Sequence, residues 1–140
     1  PDLVGDAELE RDAYKVLTAA YVDWGRPDKA AELYLAQALK TKSLTDRSVF
    51  VSKAVDNALA SSSEDFILSM ADDIARDRIS INEKVKSRVY GEALHILARS
   101  NRKQEALIYA DRILMLGDHG QHARAGVVKA LELYDRGQNT

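Results

Sequence analysis

Cysteine is absent from the chain, which excludes disulfides and thiolate chemistry but does not separate cytoplasm from periplasm. Proline occurs twice and glycine seven times in 140 residues. With Ala and Leu abundant and β-branched runs short, that scarcity favours long helices joined by brief connections. No charge of one sign prevails. The 20 Lys and Arg stand against 22 Asp and Glu for a formal net charge of −2, and the two signs are interspersed. The basic footprint that nucleic-acid binding needs is therefore missing. No apolar run approaches the roughly 20 residues of a membrane span, and no basic-then-apolar signal segment opens the chain.

What is present is 46% hydrophobic and 30% charged residues, the composition of a globular protein. The length points to one domain, 1–140, with room for a sizeable core. The chain opens Pro1-Asp2-Leu3 without methionine and closes Gly137-Gln138-Asn139-Thr140. It reads as a piece of a longer protein, with any targeting signal or anchor outside it. Cytoplasm and the Gram-negative periplasm are both open as its location.

Helical periodicity is nearly continuous and predicts seven helices. The first, about 6–24, carries Leu9, Ala13, Tyr14, Leu17, Ala20 and Tyr21 as one apolar stripe and stops at Gly25. Pro27 suits the first turn of the second helix, which carries Ala30, Leu33, Tyr34, Ala38 and Leu39 and ends near Thr41. Thr45, followed by Asp46, is the predicted N-cap of the third. Its stripe is Phe50, Val51, Ala54, Val55, Ala58 and Leu59. Ser61-Ser62-Ser63 ends it, and Ser63 opens the fourth, with Phe66, Ile67, Met70, Ala71 and Ile74 apolar. Ser80 and Glu83 have capping-box spacing and open a fifth helix through Val85, Val89, Tyr90, Ala93, Leu94 and Leu97 to Ser100-Asn101. The sixth carries Ala106, Leu107, Tyr109, Ala110, Ile113 and Leu114 and stops at Gly117. The seventh runs over about 121–136.

The pattern is helix, tight turn, helix, longer turn. The tight turns at Gly25, Ser62, Asn101 and Gly137 are separated by 37, 39 and 36 residues. A regular period in this range is the signature of a helical-hairpin solenoid, in which each hairpin buries its apolar face only by stacking on a neighbour. An ordinary bundle of similar helices is the alternative.

The segment Tyr14, Leu17, Thr18, Tyr21, Gly25, Ala30 and Tyr34 resembles the tetratricopeptide (TPR) pattern, and Gly25-Arg26-Pro27-Asp28-Lys29-Ala30 is typical of a TPR turn. Tyr90, Leu94, Leu97, Asn101, Ala106 and Ala110 match less closely. Val51, Ala54, Val55, Ala58, Ile67 and Ala71 match in outline. The next small residue of the first repeat falls at Ala38 rather than Gln37, and the closing proline of the family is absent throughout. The resemblance implies an all-α right-handed α-α superhelix, a TPR-like solenoid of about seven helices in three and a half hairpins. Its repeats would span roughly 8–42, 45–79 and 82–117, with a half repeat at 119–137. Small residues such as Ala30 and Thr18 would let paired helices approach closely. Tyr14, Tyr21 and Tyr34 would fill the space between hairpins, each contributing on the order of a few kcal/mol.

Catalytic constellations are not found. His95 sits beside an apolar stripe without an obvious partner. His119 and His122, next to Asp118, offer too few ligands for a zinc site. Asp72, Asp73 and Asp77 form an acidic helix face, where adjacent carboxylates point about 100° apart and do not face one another as an acid/base pair. No Gly-rich phosphate loop or nucleophile elbow occurs. The expectation is a non-enzyme without cofactor or metal.

In TPR arrays the first helix of each pair lines a concave groove for peptides or partner domains. The resemblance places Asp12, Lys15, Ala19 and Val22 there, then Val49, Ser52, Asp56 and Leu59, then Arg88, Gly91, His95 and Arg99, then Arg124, Val127, Leu131 and Tyr134. Lys15, Ser52, Asp56, Arg88, His95, Arg99 and Arg124 are the candidate partner-binding residues. The groove would be basic towards its C-terminal half and suited to a partner with an acidic segment, although Arg88 and Arg99 are equally readable as solvated. The TPR clamp for chaperone C-termini is not matched. Lys15 is present, Arg88 replaces Lys, and Ala19, Lys53 and Glu92 stand where Asn, Asn and Arg belong. The expected function is a protein-interaction scaffold, as in bacterial envelope, secretion or exopolysaccharide-export assemblies. A structural spacer or self-association module, and a regulatory or enzymatic helical bundle, are the alternatives.

Overall fold

The Ala- and Leu-rich segments wind as the periodicity requires. In the computed structural model, residues 3–116 are described, together with Val127 and Glu132. They form six helices: α1 (Leu3–Asp23), α2 (Pro27–Lys40), α3 (Leu44–Ala60), α4 (Glu64–Ala75), α5 (Glu83–Arg99) and α6 (Lys103–Met115). No strand occurs among the described residues. Among the described residues the chain is all-α, with six of the seven expected helices. The seventh, the half repeat 119–137 and the turn at Gly137 lie outside the described residues, although Val127 and Glu132 are both helical.

Two helix starts differ from expectation. Ser43, not Thr45, caps α3, its hydroxyl accepting from the Asp46 N–H at 3.3 Å. Asn82, not Ser80, caps α5, its side chain accepting from the Val85 N–H at 2.9 Å. In both cases the residue immediately before the helix has the extended backbone that aims its side chain at the free N–H groups of the first turn.

The helix ends follow one local rule. The Gly25 N–H bonds the Val22 carbonyl at 3.1 Å, and the Arg26 N–H bonds the Tyr21 carbonyl at 2.8 Å. This Schellman pair recurs at Ser62/Ser63, Asp77/Arg78 and Asn101/Arg102. Each first member is left-handed, with φ +72° at Gly25, +54° at Ser62, +59° at Asp77 and +60° at Asn101. Three of these are the tight turns expected from the sequence. Asp77 is a fourth. α2 ends differently, on extended Thr41. The connection 41–43 is as short as the tight turns, and among the described residues only 76–82 is the longer linker expected between pairs.

Counting from the left-handed residue aligns three helix–turn–helix segments. Five positions after it stand Ala30, Ile67 and Ala106, and twelve after it stand Gln37, Ile74 and Ile113, all buried. Seven positions before it stand Thr18, Val55 and Leu94, again all buried. Gln37 is the polar member of its set. Its amide donates to the Thr18 hydroxyl at 3.3 Å and to the Leu33 carbonyl at 3.4 Å, and Thr18 donates to the Tyr14 carbonyl at 2.6 Å. The buried amide and hydroxyl are thereby satisfied.

The chain divides at Ser63/Glu64 into two compact units. In the first, α2 packs against both α1 and α3; in the second, α5 packs against both α4 and α6. Val51, Ala54, Val55 and Ala58 of α3 are fully buried, and so are Ala30, Ala31 and Ala38 of α2. In the second unit Ile67, Met70, Ile74, Val89, Leu94 and Leu97 are buried. The apolar stripe expected of the first helix is not one buried face. Leu9, Ala13 and Leu17 are exposed, while Tyr14 and Tyr21 are half-buried. Leu39, Leu59, Leu107 and Leu114, expected in the stripes of α2, α3 and α6, are likewise exposed.

Candidate functional site

A cleft of about 390 Å³ opens in the first unit, between α1, the C-terminal turn of α2 and the start of α3. The local sequence explains its shape. Thr41 breaks α2 in extended conformation and Ser43 restarts the chain as α3, so residues 41–43 form one wall. Arg47 ties this wall down by donating to the Thr41 carbonyl at 3.0 Å. The opposite wall is the face of α1 bearing Ala7, Arg11, Tyr14 and Lys15.

Four cations line the cleft, Arg11, Lys15, Lys40 and Lys42, against two carboxylates, Glu10 and Asp46. Lys40 is ion-paired with Glu10 across α1 and α2 and lies over the Tyr14 ring, 5.3 Å from its centroid. Glu10 first, then the Tyr14 side chain, hold the Lys40 ammonium above its ordinary pKa. The remaining lining mixes polar Gln37, Thr41 and Ser43 with Ala7 and two aromatic side chains, Tyr14 on one side and Phe50 on the other. Phe50 stacks at a tilt on Tyr34, centroids 6.4 Å apart, and Lys53 lies 5.7 Å from the Tyr34 ring centroid. The site thus offers a surplus of positive charge beside aromatic surface, the chemistry that holds carboxylates on an apolar chain.

Of the candidates named from sequence, Lys15 lies in this cleft. Ser52, half-buried, and Asp56, exposed, sit one turn apart on α3 outside its lining. Arg88, His95 and Arg99 share one face of α5 in the second unit, by their spacing of seven and four. Arg88 and His95 are half-buried. Arg99 is ion-paired with Glu64 of α4, so its charge is already answered within the fold. Ser52, Asp56, Arg88 and His95 each have an interaction partner. Arg124 lies outside the described residues, as do Asp118, His119 and His122. Among the described residues no cluster of three or more His, Asp or Glu is placed to hold a metal ion, and no helix is long and apolar enough to cross a membrane.

Sequence reasoning missed Arg11, Lys40, Lys42 and Phe50. The spacing of Arg11 and Lys15, one turn apart on one helix face, was a usable signal. Lys40 and Lys42 were not, because only the break at Thr41 turns the end of α2 toward α1.

Comparison with protein-family models, with curated proteins and with solved structures returned no match.

Proposed function

We propose that the chain is a TPR-like protein-interaction module that holds an acidic segment of a partner protein in the cleft of its first unit. The observation carrying this reading is the surplus of cations, Arg11, Lys15, Lys40 and Lys42, around a cleft walled by Tyr14 and Phe50. An extended segment alternating carboxylates with apolar side chains would pair with the cations and lay its apolar groups on the rings. The TPR-like reading is supported by the shared left-handed turn at Gly25, Ser62 and Asn101 and by burial at fixed distances from it. A scaffold role and the absence of catalytic activity are part of the same proposal.

The test is a titration of the full chain with a fluorescein-labelled octapeptide of alternating Glu and Leu, followed by anisotropy, beside its Lys-Leu counterpart. Saturable binding of the Glu peptide alone is expected. Adding salt should weaken it, since surface charge pairs are screened over about 10 Å at 0.1 M ionic strength. Lys15→Glu with Lys42→Glu should weaken it by about tenfold or more, roughly 1.4 kcal/mol. Equal binding of both peptides, or indifference to the double variant, rules the reading out.

A further inference from the structure

The cleft uses one face of α1. The opposite face carries Leu9, Ala13, Val16, Leu17, Ala20 and Trp24, whose spacing of three, four and seven places them in one helical stripe. Leu9, Val16 and Trp24 are each 70% exposed and Leu17 is 46% exposed. A contiguous apolar stripe of this length on a folded surface marks an interaction site.

Part of the same stripe is covered elsewhere in the chain. Counted from the left-handed turn residue, Ala13, Val16 and Leu17 of α1 correspond to Phe50, Lys53 and Ala54 of α3. In α3 these positions meet α2: Phe50 and Lys53 both contact the Tyr34 ring, and Ala54 is fully buried. In α5 the corresponding Val89 and Ala93 are fully buried on a helix that packs against α4. In α3 the Leu17 position is therefore fully covered and the Ala13 position half-covered, while Lys53 at the Val16 position is exposed; α1 leaves all three exposed.

The charge around the stripe selects the occupant. Asp12 and Asp23 flank it on the Val16 side and Asp6 sits at its N-terminal end, while Glu10, on the Leu17 side, is already paired with Lys40. The two cations of α1, Arg11 and Lys15, are turned to the cleft instead. A second copy pairing α1 with α1 about a two-fold axis would bring these acidic borders together, which is unfavourable.

We infer that the outer face of α1 docks an amphipathic helix of a partner protein, its apolar stripe bordered by Lys and Arg. The apolar stripes interdigitate as α2 does on α3, and the basic border of the incoming helix meets Asp12 and Asp23.

Trp24 is the only tryptophan of the chain and reports directly on this face. The probe is a synthetic 18-residue amphipathic helix of Leu and Lys, with a Leu and Glu counterpart of the same pattern. Added to the full chain, the Leu-Lys helix should blue-shift Trp24 emission saturably, and the Leu-Glu helix should not. Val16→Asp, at a site so exposed that the fold does not depend on it, should weaken binding at least about tenfold, with helical circular dichroism unchanged. Asp12→Lys with Asp23→Lys should do the same through charge alone. Lys15→Glu with Lys42→Glu, in the cleft, should leave the shift intact, which separates this site from the proposed peptide cleft. An equal shift with both helices, or one that persists in the Val16→Asp chain, overturns the inference. A blue shift that grows with chain concentration in the absence of peptide overturns it too, assigning the face to a second copy.

Discussion

The two units are built on the same turn but differ in how they treat the helix that precedes it. In the second unit α5 lies between α4 and α6 and buries Val89, Tyr90, Ala93, Leu94, Ile96 and Leu97. In the first unit α1 packs mainly against α2, and Thr18 is its one residue buried to that degree among those described. Yet Tyr14 to Leu39 is the segment on which the proposed TPR-like reading chiefly rests. A family-like pattern therefore records which residues can pack, and the number of neighbouring elements decides which of them do. Where α5 spends its apolar positions on the core, α1 keeps Leu9 and Val16 at the surface, with Trp24 just past its end, and its cations at a cleft.

Paired truncations test that contrast most severely. Leu94 and Leu17 stand one position apart in the common register, and Leu94 is 2% exposed against 46% for Leu17. Leu94→Ala should destabilise by about 2–5 kcal/mol, the cost of a cavity in a packed core. Leu17→Ala should cost well under half of that, since little is removed from a packed environment. Urea denaturation followed by far-ultraviolet circular dichroism checks both. Similar costs at the two sites would mean that α1 is covered in solution.

The turns give a smaller effect and an opposite pair of signs. A Cβ at Gly25 meets nothing within 4 Å, so only its φ of +72° opposes a side chain. Gly25→Ala should cost about 1 kcal/mol, the left-handed penalty of an L residue. Ser62 already bears that penalty at φ +54°. Ser62→Gly relieves it but gives the unfolded chain more freedom and removes a side chain that is exposed at the turn. A gain of a few tenths up to about 1 kcal/mol is expected. A loss at Ser62 would show that its hydroxyl matters more than its backbone.

How much of this was legible in the sequence follows from the range of the interactions involved. The stops at Gly25, Ser62 and Asn101 were readable because a Schellman turn is closed by hydrogen bonds among neighbouring residues. The caps at Ser43 and Asn82 were misread as Thr45 and Ser80, since each alternative is also a capping residue within two positions and geometry alone separates them. Burial of α3, α4 and α5 was readable from period. Exposure of Leu9 and Leu17 was not, because periodicity shows a stripe but not whether a second helix covers it. The cleft was legible only at Lys15; Lys40, Lys42 and Phe50 reach it through tertiary contact between segments about 30 residues apart. Arg99 read as a groove cation, yet Glu64, 35 positions earlier, neutralises it.

The smallest effect at neutral pH is the one that separates the units on the alkaline side. Tyr90 and Tyr109 join α5 to α6 with ring centroids 5.6 Å apart. Burial raises both hydroxyl pKa values, partly offset by Arg112, whose guanidinium lies 4.9 Å from the Tyr109 ring centroid. Below the ordinary tyrosine value of 10.0 both states are protonated and the contact contributes in full. As pH rises past that value the unfolded chain releases its protons first, so stability falls until the folded values are passed. In the first unit, Lys40 is also raised, by Glu10 and then Tyr14, and its contribution is lost in the same direction. Being exposed, that pair is the weaker of the two. Stability measured between pH 9 and pH 11 should therefore decline, and Tyr90→Phe with Tyr109→Phe should flatten the decline more than Lys40→Met does. If Lys40→Met flattens it more, the ion pair with Glu10 at the cleft, and not the buried tyrosines of the second unit, governs the alkaline edge.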